Sequence, residues 1–208
     1  MRLGRFEYRT HRGGVDAGTA TISIARIDGR TLRFHNDVTG ESRQTWESIA
    51  TTSFEPMSVT LGLGPDDDPS SSMSLTYQGQ AVSGTATRVD RVKGKMTNRV
   101  SAELPADTVD QRIDWAVMVA APSTAGEVIV FSVYDPWTGI SRVTARIGRA
   151  ETVTVPAGTF PAHSVIYRVE KSRGTEQYQV WVSEDAPRFM VREDFPNGAS
   201  TELSRILE

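Results

Sequence analysis

Apolar and polar residues alternate along most of this chain. The alternation is clearest toward the C-terminus, where Val153, Val155, Val165, Tyr167, Val169, Tyr178, Val180, Val182, Phe189 and Val191 recur at strand-like spacing. Four turn signals separate these runs: Pro156-Ala157-Gly158, Ser172-Arg173-Gly174, Glu184-Asp185-Ala186-Pro187 and Pro196-Asn197-Gly198. Connections this short join antiparallel neighbours, because a parallel return needs a crossover of roughly a dozen residues or more. The segment from Ala150 to Leu207 therefore reads as a meander.

The first half repeats the theme. Phe6 and Tyr8 open a strand, and Gly13-Gly14 turns it. Ala20, Ile22 and Ile24 then alternate with threonine and serine, as in a sheet with one buried face. Asp28-Gly29 signals a tight hairpin before Leu32 and Phe34, and Trp46, Ile49 and Phe54 mark a further strand. Val59, Leu61 and Leu63 alternate again, and Leu75 and Tyr77 resume after a break. That break, Gly64 to Ser72, has turn formers and like charges but no apolar run, and reads as an exposed, mobile loop. A hairpin around Lys93-Gly94 follows. Gly18-Thr19-Ala20-Thr21 is echoed by Gly84-Thr85-Ala86-Thr87, although two copies among threonine-rich strands do not make a repeat architecture.

One segment changes period. Between Asp107 and Ala121, Val109, Ile113, Ala116, Val117 and Ala120 recur at three and four residues, which predicts a helix over 107–121. Asp107 is placed to cap it, Asp110 lies in its first turn, and Pro122 stops it. Asp110, Gln111 and Asp114 are expected to face outward. The run Val128 to Val133 is apolar on both faces and is expected to be covered on both, on one side by this helix. The fold class implied is mostly β: one large, curved antiparallel sheet, an open half-barrel built as a meander, with one packed helix near 107–121. Its 208 residues are expected to form one domain, 1–208.

Composition narrows the chemistry. There are no cysteines, so disulfides, thiolate metal sites and a cysteine nucleophile are excluded. A net charge of -3 with mixed signs is an ordinary surface. No run is long enough to span a bilayer as a helix, and Met1 to Glu7 lack the apolar core of a signal peptide. The three histidines, His11, His35 and His163, do not stand at metal-ligand spacing. Asp66-Asp67-Asp68 lacks the turn glycine and distal glutamate of a calcium loop. No Gly-x-Ser-x-Gly occurs, and Glu193 and Asp194 point to opposite faces of their strand, so they do not share a proton. No catalytic residue, metal or cofactor is expected, and the chain is not expected to be an enzyme. Arg88, Arg91, Lys93, Lys95 and Arg99 form a basic hairpin without the aromatics that stack bases. A sheet edge protected from association, or peripheral contact with anionic lipid head groups, suits it better than nucleic acid.

Glu151 to Ala162, containing Val155-Pro156-Ala157-Gly158-Thr159-Phe160, and Trp181-Val182-Ser183-Glu184-Asp185-Ala186-Pro187-Arg188 resemble a family of bacterial envelope proteins of unknown function. Members share a Val-Pro-Ala-Gly-x-Phe hairpin and a tryptophan-bearing strand ending in an acidic-proline turn. The opening strand Phe6-Glu7-Tyr8, the Gly13-Gly14 turn and Gly18-Thr19 are also similar. The resemblance implies a fold like that of periplasmic lipoprotein carriers, a curved half-barrel with an apolar interior, and a periplasmic or cell-envelope location. It implies no catalytic residues. This chain departs from the family in lacking an export signal and a lipid-attachment cysteine.

The combined expectation is a non-enzymatic protein that binds a lipid or other apolar small molecule on its concave face. Ile113, Val117, Ile129, Phe131, Val133 and Trp181 are the expected lining. Trp181 lies opposite Tyr178, Val180 and Val182 on its strand and points to a second apolar layer, a ligand groove or solvent if those three line the core. The alternative is a structural or protein-interaction module with a solid core. Oligomeric state is not legible.

Overall fold

Fifteen strands, counted among the described residues, pair edge to edge in one sheet. The computed structural model describes residues 1–40, 43–64, 70–90, 92–121, 124–172 and 174–207. The aspartate run 66–68, most of the 64–72 loop, Arg91, Pro122 and Arg173 lie outside them.

The first eight strands are β1 (Gly4–Arg12), β2 (Val15–Arg26), β3 (Thr31–Gly40), β4 (Gln44–Thr51), β5 (Pro56–Leu63), β6 (Ser71–Gln78), β7 (Ala81–Asp90) and β8 (Gly94–Glu103). A short β9 (Thr108–Asp110) leads through a 3-10 turn (Gln111–Ile113) into α1 (Asp114–Ala120). The chain then runs through β10 (Val128–Asp135), β11 (Gly139–Val155), β12 (Gly158–Lys171), β13 (Gly174–Ser183), β14 (Met190–Asp194) and β15 (Ala199–Leu207). The spatial order is β8-β7-β6-β5-β4-β3-β2-β1-β15-β14-β13-β12-β11-β10-β9. It is thus two meanders joined where β1 meets the last strand, with Phe6 opposite Ile206. Every pairing is antiparallel except β9 with β10.

The expected curved, open sheet is present, and alternation builds its concave face. Phe6 and Tyr8, Ala20, Ile22 and Ile24, Leu32 and Phe34, and Trp46 and Ala50 all turn inward from adjacent strands, and Val143, Val165, Tyr167, Val180 and Leu203 answer from the other side. On the outer face, threonine hydroxyls bond across strands, as Thr19 to Thr39 at 2.9 Å and Thr87 to Thr97 at 2.8 Å. The basic hairpin ends in β8, the free edge strand, where lysine and arginine discourage edge-to-edge pairing.

The ends of the sheet overlap without hydrogen-bonding to each other as strands. Val133 belongs to the main core, but Tyr134, which points to the opposite face of β10, packs in a second core with Val59, Met73, Leu75, Tyr77 and Val82. The β5–β8 end therefore laps over the outside of the β10 end. A buried polar seam ties them. The Tyr77 hydroxyl donates to Asp110 Oδ2 at 2.6 Å, and Arg112 reaches Asp110 at 2.5 Å and Asp135 at 2.6 Å. Backbone N–H groups of Arg112, Trp137 and Thr138 donate to the same two carboxylates.

The predicted helix over 107–121 is shortened. Its first residues are extended as β9, because Thr108–Asp110 pair with Ser132–Tyr134 of β10. Asp107 caps nothing; its carboxylate binds Arg142 at 2.5 Å and Ser132 Oγ at 3.1 Å. Asp110 is the real cap, accepting from Arg112 N, and is buried rather than facing outward. Nor does α1 lie on the sheet by one stripe. Trp115, Ala116, Met118 and Val119 are all buried, the mark of a helix enclosed on most sides. It sits inside the curl, with Trp115 edge-on to Phe34 at 6.2 Å and the last helical carbonyl, of Ala120, bonded by Arg188. β10 is covered on both faces only toward its end; Val128 and Val130 remain exposed.

Candidate functional site

The helix fills one part of the curl and leaves another open. A cavity of about 470 Å³ lies between the start of α1 and the ends of β1–β4 and β12–β15. Beneath the other end of the helix, near Met118, Ile147 and Val165, only about 10 Å³ remains. The open cavity has apolar walls from Ala20, Ile22, Val38, Trp46, Trp115, Met190 and Phe195. Strand alternation puts Ile22, Asn36 and Trp46 side by side on it, since they are direct cross-strand partners.

Its floor is polar. Asn36, 8% exposed, has a side-chain oxygen with no hydrogen-bond partner. Glu193 is buried and accepts from the Tyr167 hydroxyl at 2.5 Å. Tyr167 stacks on Tyr178 with ring centroids 4.9 Å apart, and Phe195 meets Tyr178 edge-on at 6.2 Å. The Tyr178 hydroxyl donates to Glu176 at 2.7 Å. Asp114 accepts only from the Trp115 backbone N–H, at 2.7 Å, among the described residues. It keeps some accessible surface because the cavity reaches it. Arg112 also borders the cavity, but Asp110 and Asp135 hold its guanidinium. His11 stands 3.9 Å from Glu202.

Burial dominates the electrostatics of this floor. It pushes the Glu193 carboxyl up to about 7 against a usual 4.5, with the Tyr167 hydrogen bond acting the other way. Burial, reinforced by the charge of Glu193, pushes Asp114 up to about 8 from 3.8. The Tyr167 hydroxyl is driven well above its usual range by burial and by Glu193. A folded protein with raised carboxyl values holds protons that the unfolded chain has released. The stability these two groups contribute is therefore lost as pH rises from about 4 through about 8 and is level beyond. Glu193→Gln keeps an acceptor for Tyr167 and removes the ionisation. The variant is expected to match the parent near pH 4 and to exceed it by roughly 3 kcal/mol at pH 8.5, taking about 1.4 kcal/mol per unit. Urea denaturation at the two pH values checks this, and an equal gain at both would show that Glu193 ionises freely in the fold.

None of the six residues expected to line a ligand site borders this cavity. Ile113, Phe131 and Val133 are buried in the main core; Val117 and Ile129 pack against it half-buried. Trp181 is on the outer face, between Ser164 and Arg192 on neighbouring strands. Its indole N–H donates to Glu151 at 2.5 Å, and the Arg192 guanidinium lies 5.3 Å from its ring. The residues that do form the cavity floor escaped sequence reasoning for two reasons. Asp114 is expected outward on a one-faced helix, whereas α1 is enclosed and Asp114 meets the cavity. Glu193 carried a usable signal, since alternation puts it on the face of Val191 and Phe195, an inward carboxylate between apolar residues. Among the described residues no group of three metal-binding side chains is gathered.

The family model described as a protein of unknown function, DUF3108, matches residues 7–204. The chain belongs to this family, as its hairpin and tryptophan-strand motifs indicated. No curated protein matches. Among solved structures, the chain is similar to a protein from Bacteroides fragilis, described as a candidate exported protein with a YmcC-like fold, at 11% identity and a TM-score of 0.40, covering 100% of this chain and 97% of that one. It is similar also to a candidate lipoprotein from Parabacteroides distasonis at 10% identity and a TM-score of 0.39, covering 99% and 95%.

Proposed function

We propose that this protein is a non-enzymatic binding protein of the cell envelope that holds one small amphipathic molecule in the open part of its curl. The observation that carries the reading is the cavity of about 470 Å³ with apolar walls and a polar floor. Its size falls within the usual range for small-molecule sites, about 300–1,000 Å³. The apolar walls favour burial of a ligand's hydrocarbon part at about 25 cal/mol per Å². The floor gives a head group hydrogen-bonding partners. A non-enzymatic role is supported by how the polar groups are spent: Arg112 is held by two aspartates and Tyr167 by Glu193. The envelope location rests on the family resemblance of the Val155–Phe160 hairpin and the Trp181 strand.

Displacement of an environment-sensitive acyl dye, with native mass spectrometry of gently purified protein, tests the binding reading. Saturable dye uptake at one site per chain, abolished by Trp46→Arg within the wall, is expected. Absence of uptake and of any bound mass would instead leave an interaction module.

A further inference from the structure

We infer that the open half of β10 is a docking edge for an extended, acidic segment of a partner protein, which joins the sheet there as a further strand. The first observation is the edge itself. Among the described residues, β9 pairs with residues 132–134 of β10, and residues 128–131 have a strand on one side alone, β11. The Ser132 N–H points away from β11 and donates to the Asp107 carbonyl at 3.3 Å. The alternation of the ladder gives the N–H and C=O groups of Val130 and Val128 the same outward aim. No described residue on that side bonds to them. Their side chains are exposed as well. The usual protections of an edge are missing, since this half has no lysine, no proline and no bulge against β11. The β8 edge, by contrast, carries Lys95 and Arg99.

The second observation is charge. On the outer face Val128 stands beside Arg146, and Arg146 beside Ile166; in the next row Val130 stands beside Thr144, and Thr144 beside Arg168. The two valines and Ile166 are exposed, and so are both arginines. Among the described residues neither arginine meets a carboxylate. Arg146 has no hydrogen bond there, and Arg168 reaches the Gln177 side chain at 3.4 Å. Glu170, two positions along the same face from Arg168, does not pair with it. An apolar strip fringed by uncompensated cations, next to open backbone groups, fits a strand whose outward side chains are acidic. Such a strand lies about 10 Å from β11, two strand spacings, a gap that the Arg146 side chain and a glutamate close together across Val128. A second copy of this chain fits less well. Its matching edge is residues 128–131 again, which hold no carboxylate, and its β8 edge is basic.

The test titrates three fluorescein-labelled peptides into the intact chain at low salt and follows their anisotropy. They are Glu-Val-Glu-Val-Glu, its counterpart Lys-Val-Lys-Val-Lys, and the acidic peptide N-methylated throughout so that it cannot donate to a ladder. The acidic peptide is expected to bind at least tenfold more tightly than either control, and to slow amide hydrogen exchange at Val128 and Val130. Arg146→Glu, a change on the exposed face, is expected to leave the melting temperature in place, weaken the acidic peptide at least tenfold and strengthen the lysine peptide. Failure of the acidic peptide to bind, equal binding of either control, or binding without protection of the two valine amides would overturn the inference. A concentration-dependent dimer that protects those amides would assign the edge to a second copy. Binding of phosphatidylglycerol vesicles that protects them would assign it to a membrane surface. Either result overturns the partner strand, and none of these outcomes bears on the cavity.

Discussion

Arg112→Ala is expected to destabilise the fold by about 3–5 kcal/mol, the usual cost of removing one partner from a buried ion pair. The reason is local and fully visible. The Arg112 side chain is 7% exposed, and those of Asp110 and Asp135 are 0% and 8% exposed. Truncation at Cβ leaves two carboxylates facing each other without a cation and strands the Tyr77 hydroxyl bond in an uncompensated site. The burden falls where the sheet has no backbone ladder to absorb it, because this network joins the overlapping ends at β6 and β9. For a chain of this length about 2–4 °C accompanies each kcal/mol, so the melting temperature should fall by roughly 6–20 °C. Tyr77→Phe removes one donor to the ion-paired Asp110 carboxylate in the same seam and should cost less, about 1.5–3 kcal/mol. Urea denaturation of both variants supplies the comparison. If Arg112→Ala lost no more than Tyr77→Phe, the seam would have to be solvated and the overlap of the sheet ends loose.

Much of this architecture was legible in the sequence, and the legible part obeys one rule. Wherever burial was one-sided, as in Ala20, Ile22 and Ile24 or Val165, Tyr167 and Val169, the two-residue period named both the strand and its inward face. The rule failed where burial was two-sided. The segment 107–121 mixes a strand, a 3-10 turn and a short enclosed helix, and its apolar residues recur at helical spacing only because each piece is buried for a different reason. Val109 faces the core from a strand that pairs with β10, while Ala116 faces it from a helix. Asp110 could not be placed from pattern, since its position depends on Tyr77 and Asp135 arriving from two distant stretches to meet it and Arg112. The cavity was hidden for the same reason. Its floor is assembled from Asn36, Asp114, Tyr167 and Glu193, which no local period connects. The six apolar residues expected to line a site were chosen as the inward-facing sets of the apolar strands and the helix, and all six pack in or against the main core, Trp181 from the outer face of its strand.

Gly84→Ala should cost about 2–6 kcal/mol, although it adds a single methyl group. Two effects add. At φ +147° the backbone is in a region open to glycine, and holding another residue there costs about 1–3 kcal/mol. A Cβ at this position would also lie 2.0 Å from the Ser74 carbonyl oxygen and 3.0 Å from the Leu75 Cα, backbone atoms of the adjacent strand that cannot step aside without opening the ladder. Such overpacking costs about 1–3 kcal/mol more. Gly18 is built the same way, with φ +132° and a would-be Cβ 2.0 Å from the Thr39 oxygen. This is the physical content of the echo between Gly18-Thr19-Ala20-Thr21 and Gly84-Thr85-Ala86-Thr87: each opens with a glycine that lets neighbouring strands close together, followed by a threonine strand. Gly174 separates the two effects, since its φ is +135° but a Cβ there would meet nothing within 4 Å. Gly174→Ala should therefore show the backbone cost alone, about 1–3 kcal/mol. In parallel urea titrations Gly84→Ala is expected to fall clearly below Gly174→Ala. Equal losses would mean that β6 and β7 shift apart freely, and that the close approach at Gly84 does not help to set the curvature of the sheet.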